Sequence, residues 1–139
     1  LSMINWLERG VPLPFGAVRN KRSLVSLDNL IDLIMTCVSH PAAANQTFLA
    51  SDGEDVSTTE LMRKIGCALN KPARLISLPV PLMQIGANLL GKQALAQRLF
   101  GSLQVDISKN KILLGWVPPL SLDQGLRATV RSYSELRKK

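Results

Sequence analysis

The longest uncharged stretch of the chain, Leu75 to Gly91, is interrupted by Pro79 and Pro81, and that interruption limits what the whole molecule can become. A helix that crosses a bilayer needs about 20 consecutive apolar residues. Two prolines one residue apart instead end a strand at Val80 and open a helix at the second ring, because proline lacks an amide N–H and its fixed φ suits a first helical turn. No membrane span is expected. A helix resting on a membrane surface is the alternative to an ordinary core helix here.

Outward from this break, helical and extended patterns alternate. Ser2 to Arg9 reads as a helix stopped by Gly10, and Val11 to Gly16 ("VPLPFG") is held extended by its prolines. Arg22 to Ser26 alternates as a short strand. Leu27, Leu30, Ile31, Ile34, Met35 and Val38 then recur at helical spacing until His40-Pro41, with His40 as a C-terminal cap rather than a catalytic base. Gln46 to Ser51 ("QTFLAS") reads as a second strand and "DGED" as a turn whose acids, Asp52, Glu54 and Asp55, are solvated and not catalytic.

Ser57-Thr58-Thr59-Glu60 is a capping box, so a helix with Leu61, Met62, Ile65, Ala68 and Leu69 on its buried stripe should follow. "RLISLPV" returns as a strand. Pro81 to Leu90 and Lys92 to Phe100 form two helices meeting at Gly91, "SLQVD" is extended, and Ser108 to Leu114 is a short helix closed by Gly115. Ser121 and Gln124 repeat the capping-box logic and open the last helix, with Leu122, Leu126, Val130 and Tyr133 inward. The expected fold class is α/β, a small mixed sheet with several helices, in one domain over residues 1–139. A chain of 139 residues can bury roughly two-thirds of its unfolded surface, enough for one core.

Composition is ordinary for a folded domain, 46% hydrophobic and 19% charged, and excludes a disordered tail. The formal charge of +7 points to an anionic partner without choosing among nucleic acid, membrane and phosphorylated small molecule. Cys37 and Cys67 lie in apolar helical patterns without paired spacing, so both read as buried free thiols in a reducing cytoplasm, and no metal site is expected. No two glycines have the Gly-x-Gly spacing that lets backbone amides approach a pyrophosphate. The chain opens at Leu1 without an initiator Met or a leader pattern, so it reads as a piece of something longer.

"RGVPLPFG", the Arg-Ser-Leu-Val-Ser-Leu-Asp-Asn-Leu junction, "FLASDGEDVSTTELMRKI" and "VDISKNKILLGWVPPLSLDQGLRATV" together resemble the C-terminal substrate-binding part of the extended short-chain dehydrogenase/reductases. More narrowly, they resemble the NAD-dependent epimerase/dehydratase family acting on nucleotide sugars, UDP-glucose 4-epimerase-like enzymes among them. The resemblance implies a UDP-sugar substrate, with Arg22 matching the diphosphate-binding arginine and Leu13, Pro14 and Phe15 matching the segment that holds uracil. A guanidinium grips two phosphate oxygens at once, which makes an arginine fixed on a strand a directional clamp. The alternative for Arg22 is an exposed ion pair with Asp28 or another acid, which contributes at most about 1 kcal/mol. Arg98 is the nearest candidate for the family's second diphosphate arginine, although it lies closer to Asp106 than that pattern expects.

Asp28 or Asn29 could cap the helix start, Asp106 and Ser108 organise a helix cap, and Trp116 reads as an anchor between that helix and the last one. The family's glycine-rich fingerprint and Tyr-x-x-x-Lys, in an N-terminal Rossmann domain, have no counterpart here. Tyr133 lies in the terminal helix. NAD or NADP is therefore expected in the intact parent and not on this chain, which should be inactive alone and have the missing Rossmann half as its partner, with a homodimer also possible. The parent that the resemblance favours is UDP-glucose 4-epimerase-like, with a sugar-nucleotide reductase or dehydratase of surface-polysaccharide synthesis as the alternative. Two readings of another class remain: a basic nucleic-acid-binding module around Arg19, Lys21 and Arg22, disfavoured by an aromatic content of only 4%, and a protein-interaction domain using the apolar region from Leu75 to Leu99.

Overall fold

The computed structural model describes residues 2–91, 94, 97 and 100–136. Helix α1 (Ser2–Glu8) is closed by Gly10, whose φ of +64° is one that side chains resist and whose N–H bonds to the Leu7 carbonyl at 3.0 Å. Helix α3 (Thr58–Ala68) starts as its capping box demands: Ser57 Oγ accepts from the Glu60 N–H at 3.1 Å and Glu60 Oε2 accepts from the Ser57 N–H at 2.8 Å. Helix α4 (Val80–Leu89) opens at the proline pair. Helix α5 (Ser108–Leu114) ends at Gly115 (φ +62°), and helix α6 (Leu122–Leu136) begins at the Ser121/Gln124 box.

The main core forms where α3 packs on α1 and α6, burying Ile4, Leu7, Leu13, Phe15, Val18, Val56, Leu61, Met62, Ile65, Leu122 and Val130. Truncating a fully buried residue such as Met62 to alanine removes about 2 to 5 kcal/mol in cores of this kind. Strand β1 (Arg22–Ser23) pairs antiparallel with β2 (Asp55–Val56), Arg22 opposite Val56, and an isolated parallel bridge joins Arg22 to Leu103 on the other side. The fold class is thus as expected: mixed α/β, with six helices and one small sheet among the described residues.

Several local expectations give way to tertiary context. The strand expected over Arg22 to Ser26 stops at Ser23, because Ser26 becomes the N-cap of helix α2 (Leu27–Ser39) and gives its own N–H to Asp52. "QTFLAS" forms no strand and pairs with none among the described residues, and "RLISLPV" is reduced to bridges from Leu75 to Leu13 and from Ser77 to Phe15. Gly16 makes that second pairing possible, since a Cβ there would lie 2.9 Å from the backbone of Ile76 and Ser77. The turn "DGED" supplies half of β2. Of the two helices expected to meet at Gly91, the second, Lys92 to Phe100, lies largely outside the described residues.

Asp52 is buried rather than solvated. It accepts from Ser26 N at 2.9 and 3.1 Å and from Asn29 Nδ2 at 2.7 Å, while Asn29 exchanges hydrogen bonds with both the N–H and the carbonyl of Leu120. Asn29 is therefore not a helix cap but a buried tie between the start of α2, the 51–52 segment and the entry to α6. Trp116 joins α5 to α2 instead of to the last helix, packing with Leu33 and Leu114 and donating Nε1–H to Asp32 at 2.7 Å. Cys67 is exposed and Cys37 only half-buried. His40 does cap α2, and its Nδ1 accepts from the Ala42 N–H. Among the described residues no helix is long and apolar enough to cross a membrane, and no cluster of ligating side chains suits a metal.

Candidate functional site

Arg22 lies in the middle of three backbone segments. Its strand pairs with β2 on one edge, while on the other Ser23 N–H donates to Leu103 O at 2.8 Å and Leu103 N–H donates to Lys21 O at 2.9 Å. Successive strand side chains point to opposite faces, so Ser23 and Arg22 look different ways. On the Ser23 face, Ser23 Oγ donates to Asp55 Oδ1 and Gln104 Nε2 donates to Asp55 Oδ2, both at 2.5 Å. These two bonds, Ser23 first, hold the Asp55 carboxyl below its ordinary value of 3.8. The acid nearest the strand is thereby engaged elsewhere. Among the described residues the half-buried Arg22 makes no hydrogen bond and no ion pair, with Asp28 or any other acid.

The segment Leu13 to Phe15 is fixed from two sides. Leu13 N–H donates to Arg74 O and Leu13 O accepts from Ile76 N–H, while the buried Thr59 hydroxyl lies 2.5 Å from Phe15 O and 2.9 Å from Val18 O and accepts from Val18 N–H. The Phe15 ring is buried against Trp6 and Phe100, at centroid separations of 6.5 and 6.3 Å. Pro14 is half-buried. Gly16 N–H donates to Ile76 O at 3.0 Å, part of the antiparallel bridge between Phe15 and Ser77.

Residues 100–105 tie these two parts together. Phe100 meets the Phe15 ring, Gly101 O accepts from the buried Asn20 side chain at 2.9 Å, Ser102 Oγ accepts from Lys21 N–H, Leu103 pairs with Arg22, and Val105 N–H donates to Ser23 Oγ. Asn20 also accepts from the Thr58 N–H at the start of α3. Sequence reasoning missed Asn20, and no short motif marks it, because Gly101 and Thr58 are distant from it in the chain. Arg98 lies outside the described residues. Asp106 accepts from the Ser108 N–H at 2.8 Å, the bond that lowers its carboxyl below 3.8, so its organising role at α5 is seen directly.

Hollows of about 500, 460 and 370 Å³ lie beside this arrangement rather than in it. The first is lined by Arg63, Lys64, Asn70, Asp123 and Arg127, the second by residues 16–19 with Ser57 and Arg63, and the third by α2 and residues 43–50. Arg22 and Phe15 line none of the three. What the site offers chemically is a guanidinium without an ion pair on a short strand, linked through residues 100–103 to the bridged backbone of Leu13 to Phe15. A guanidinium so placed suits an anion; among the described residues no pair of side chains is set up to move a proton or attack a carbonyl.

These features define a chain of mixed α/β class. The chain is 48% identical over 133 residues to the UDP-glucose 4-epimerase of Vibrio cholerae, a match that takes in 95% of this chain and 40% of that protein. It is also 23% identical over 142 residues to the N-acetyl-alpha-D-glucosaminyl-diphospho-ditrans,octacis-undecaprenol 4-epimerase of Escherichia coli O157:H7, over 94% of this chain and 43% of that one. No protein-family model matches. The chain spans about two-fifths of the length of these relatives, and the resemblance to the epimerase/dehydratase family read from its motifs is borne out.

Proposed function

We propose that the chain is the nucleotide-sugar-binding portion of a UDP-glucose 4-epimerase-like enzyme, with Arg22 on the diphosphate and the Leu13–Phe15 segment on uracil. The observation that carries this reading is the unpaired guanidinium of Arg22 on a strand whose neighbouring acid, Asp55, is engaged on the opposite face. The uracil imide presents an N–H flanked by carbonyls, an edge that peptide groups can pair with, and the Leu13–Phe15 backbone is the segment proposed to read it. The Phe15 ring serves by fixing that backbone against Trp6 and Phe100. Arg98, two positions before Phe100, is the second cation proposed for the diphosphate.

The two relatives' names share a sugar joined to a diphosphate and differ in what lies beyond it, a nucleoside or a polyprenol. The 48% identity to the UDP-glucose enzyme, against 23% to the other, favours the nucleoside. NAD, which the resemblance implies, finds no close-set glycine cradle in the described residues; its proposed place is the complementary part of a longer cytoplasmic enzyme. This chain then contributes substrate contacts and no turnover alone.

Calorimetric titration with UDP, UMP, undecaprenyl diphosphate in detergent and a short DNA duplex, each at two salt concentrations, tests the assignment. UDP is expected to bind at least about tenfold more tightly than UMP, since one charge-assisted bidentate contact is worth 1.5 kcal/mol or more. Arg22→Ala should abolish that difference with the fold intact. Equal affinity for UDP and UMP, or DNA binding with a steep salt slope, overturns it.

A further inference from the structure

Helices α3 and α6 pack on each other and leave a hollow of about 500 Å³ along their seam, which neither Arg22 nor Phe15 lines. Arg63, Cys67 and Asn70 reach it from α3 and the turn after it, at the spacing of one helix face. Asp123 and Arg127 reach it from α6, four residues apart, and Lys64 stands between the two helices.

Both arginines in this lining have lost the acid that their own helix offers. Asp123 and Arg127 stand at i, i+4, a spacing that pairs opposite charges on a helix surface, yet Asp123 Oδ1 accepts from Lys64 Nζ at 2.6 Å across the seam. That bond, the largest cause, raises Lys64 above its ordinary value of 10.5 and keeps it charged. Glu60, three residues before Arg63, is engaged by the capping box, where Oε2 accepts from the Ser57 N–H at 2.8 Å and from its hydroxyl at 3.0 Å. Among the described residues Arg63 and Arg127 make no hydrogen bond and no ion pair.

The lining therefore sets three cations, Arg63, Lys64 and Arg127, against one acid, Asp123. A dianion balances the difference. Guanidinium forks bind phosphate oxygens two at a time, and a phosphomonoester carries about −1.5 to −2 of charge on one tetrahedral centre at neutral pH. Phosphate alone would leave most of the hollow empty, and its volume is that of an ordinary small-molecule pocket. Asn70 offers a polar contact, and Cys67 with Ala68 an apolar wall, to a body attached to the phosphate. We propose that the α3–α6 hollow binds a phosphomonoester of sugar-phosphate size, with Arg63 and Arg127 on the phosphate and Asn70 on the hydroxyls of the body. This site is distinct from the one proposed for the UDP-sugar. A nucleic acid is the poorer occupant, because it would lie across a concave wall that includes the Asp123 carboxylate.

The test titrates the chain with glucose 6-phosphate, glucose, dimethyl phosphate and a short DNA duplex, read by calorimetry and by the ¹H–¹⁵N spectrum. Glucose 6-phosphate is expected to bind saturably, with shifts at the amides of residues 63–70 and 123–127, and at least about tenfold more tightly than the monoanion dimethyl phosphate or neutral glucose. Arg63→Gln combined with Arg127→Gln, both at exposed positions, should weaken binding at least about tenfold with circular dichroism unchanged. Asp123→Asn should tighten it by releasing Lys64 and removing a like charge, and Arg22→Ala should leave it as it is. No saturable binding at millimolar glucose 6-phosphate, equal binding of dimethyl phosphate, indifference to the arginine pair, weaker binding in Asp123→Asn, tighter binding of the duplex to the same residues, or shifts centred on Phe15 and lost in Arg22→Ala each overturns the proposal. A parallel UDP titration separates the two readings: UDP shifts at Arg22 without glucose 6-phosphate binding remove only the hollow, and glucose 6-phosphate binding without UDP shifts at Arg22 removes only the nucleotide site.

Discussion

Arg22 shows how a residue's surroundings decide its role. A surface arginine normally finds an acid, yet the nearest one here is held by Ser23 and Gln104, so the charge is left for something else. Ser23→Ala should release Asp55, and its effect on acid stability has a definite sign. A carboxyl whose folded pKa is lowered stabilises fully above its ordinary value, here 3.8, and loses that contribution as the pH falls through the folded value. Urea unfolding at a series of pH values should therefore show a shallower decline below about pH 4 in Ser23→Ala than in the parent; an unchanged slope would mean that Asp55 gains nothing from Ser23. The buried Asn29–Asp52 pair makes the opposite kind of contribution, purely structural. Asn29→Ala removes one donor from the buried Asp52 carboxylate and leaves the Leu120 N–H without its acceptor, and should cost about 1 to 3 kcal/mol in urea denaturation with little change in UDP affinity.

Helices whose ends are written locally are also the ones whose stability can be tested locally. Ser57→Ala removes one half of the α3 capping box and should lower stability by about 1 kcal/mol in thermal or urea unfolding. Gly125→Ala tests contact between elements instead: a Cβ in the first turns of α6 would sit 2.7 Å from Ser26 Cβ at the cap of α2. Alanine improves helix propensity by about 1 kcal/mol, so a net loss of about 1 to 3 kcal/mol would show that this contact dominates, and a gain that the elements yield. The same division explains what could be read from sequence. Gly10, Gly115, both capping boxes and the bounds of α2 were legible because each depends on residues within one or two turns. The shortening of β1, the burial of Asp52, the seat of Trp116 on α2 and the role of Asn20 were not, because their partners lie 23 or more positions away. Arg22 and the Leu13–Phe15 segment could be singled out only by resemblance, since neither their spacing nor their chemistry distinguishes them from an ordinary strand and an ordinary proline-rich link.

Over the whole molecule, one core is closed and the other open. Among the described residues the α1–α3–α6 core has eleven buried apolar members, against three behind α2, so the first should unfold cooperatively while the second exchanges amide hydrogens early. The exposed apolar face of α2 and the unpaired Arg22 guanidinium are the two features that the proposed substrate-binding role has to account for. The most direct test of the central claim is the ¹H–¹⁵N spectrum of the chain titrated with UDP. The account predicts saturable shifts at the Phe15 amide and the Arg22 side chain, lost when UDP is replaced by UMP or Arg22 by alanine. Shifts confined to the Arg63, Lys64 and Arg127 hollow, or none at millimolar UDP, would contradict it.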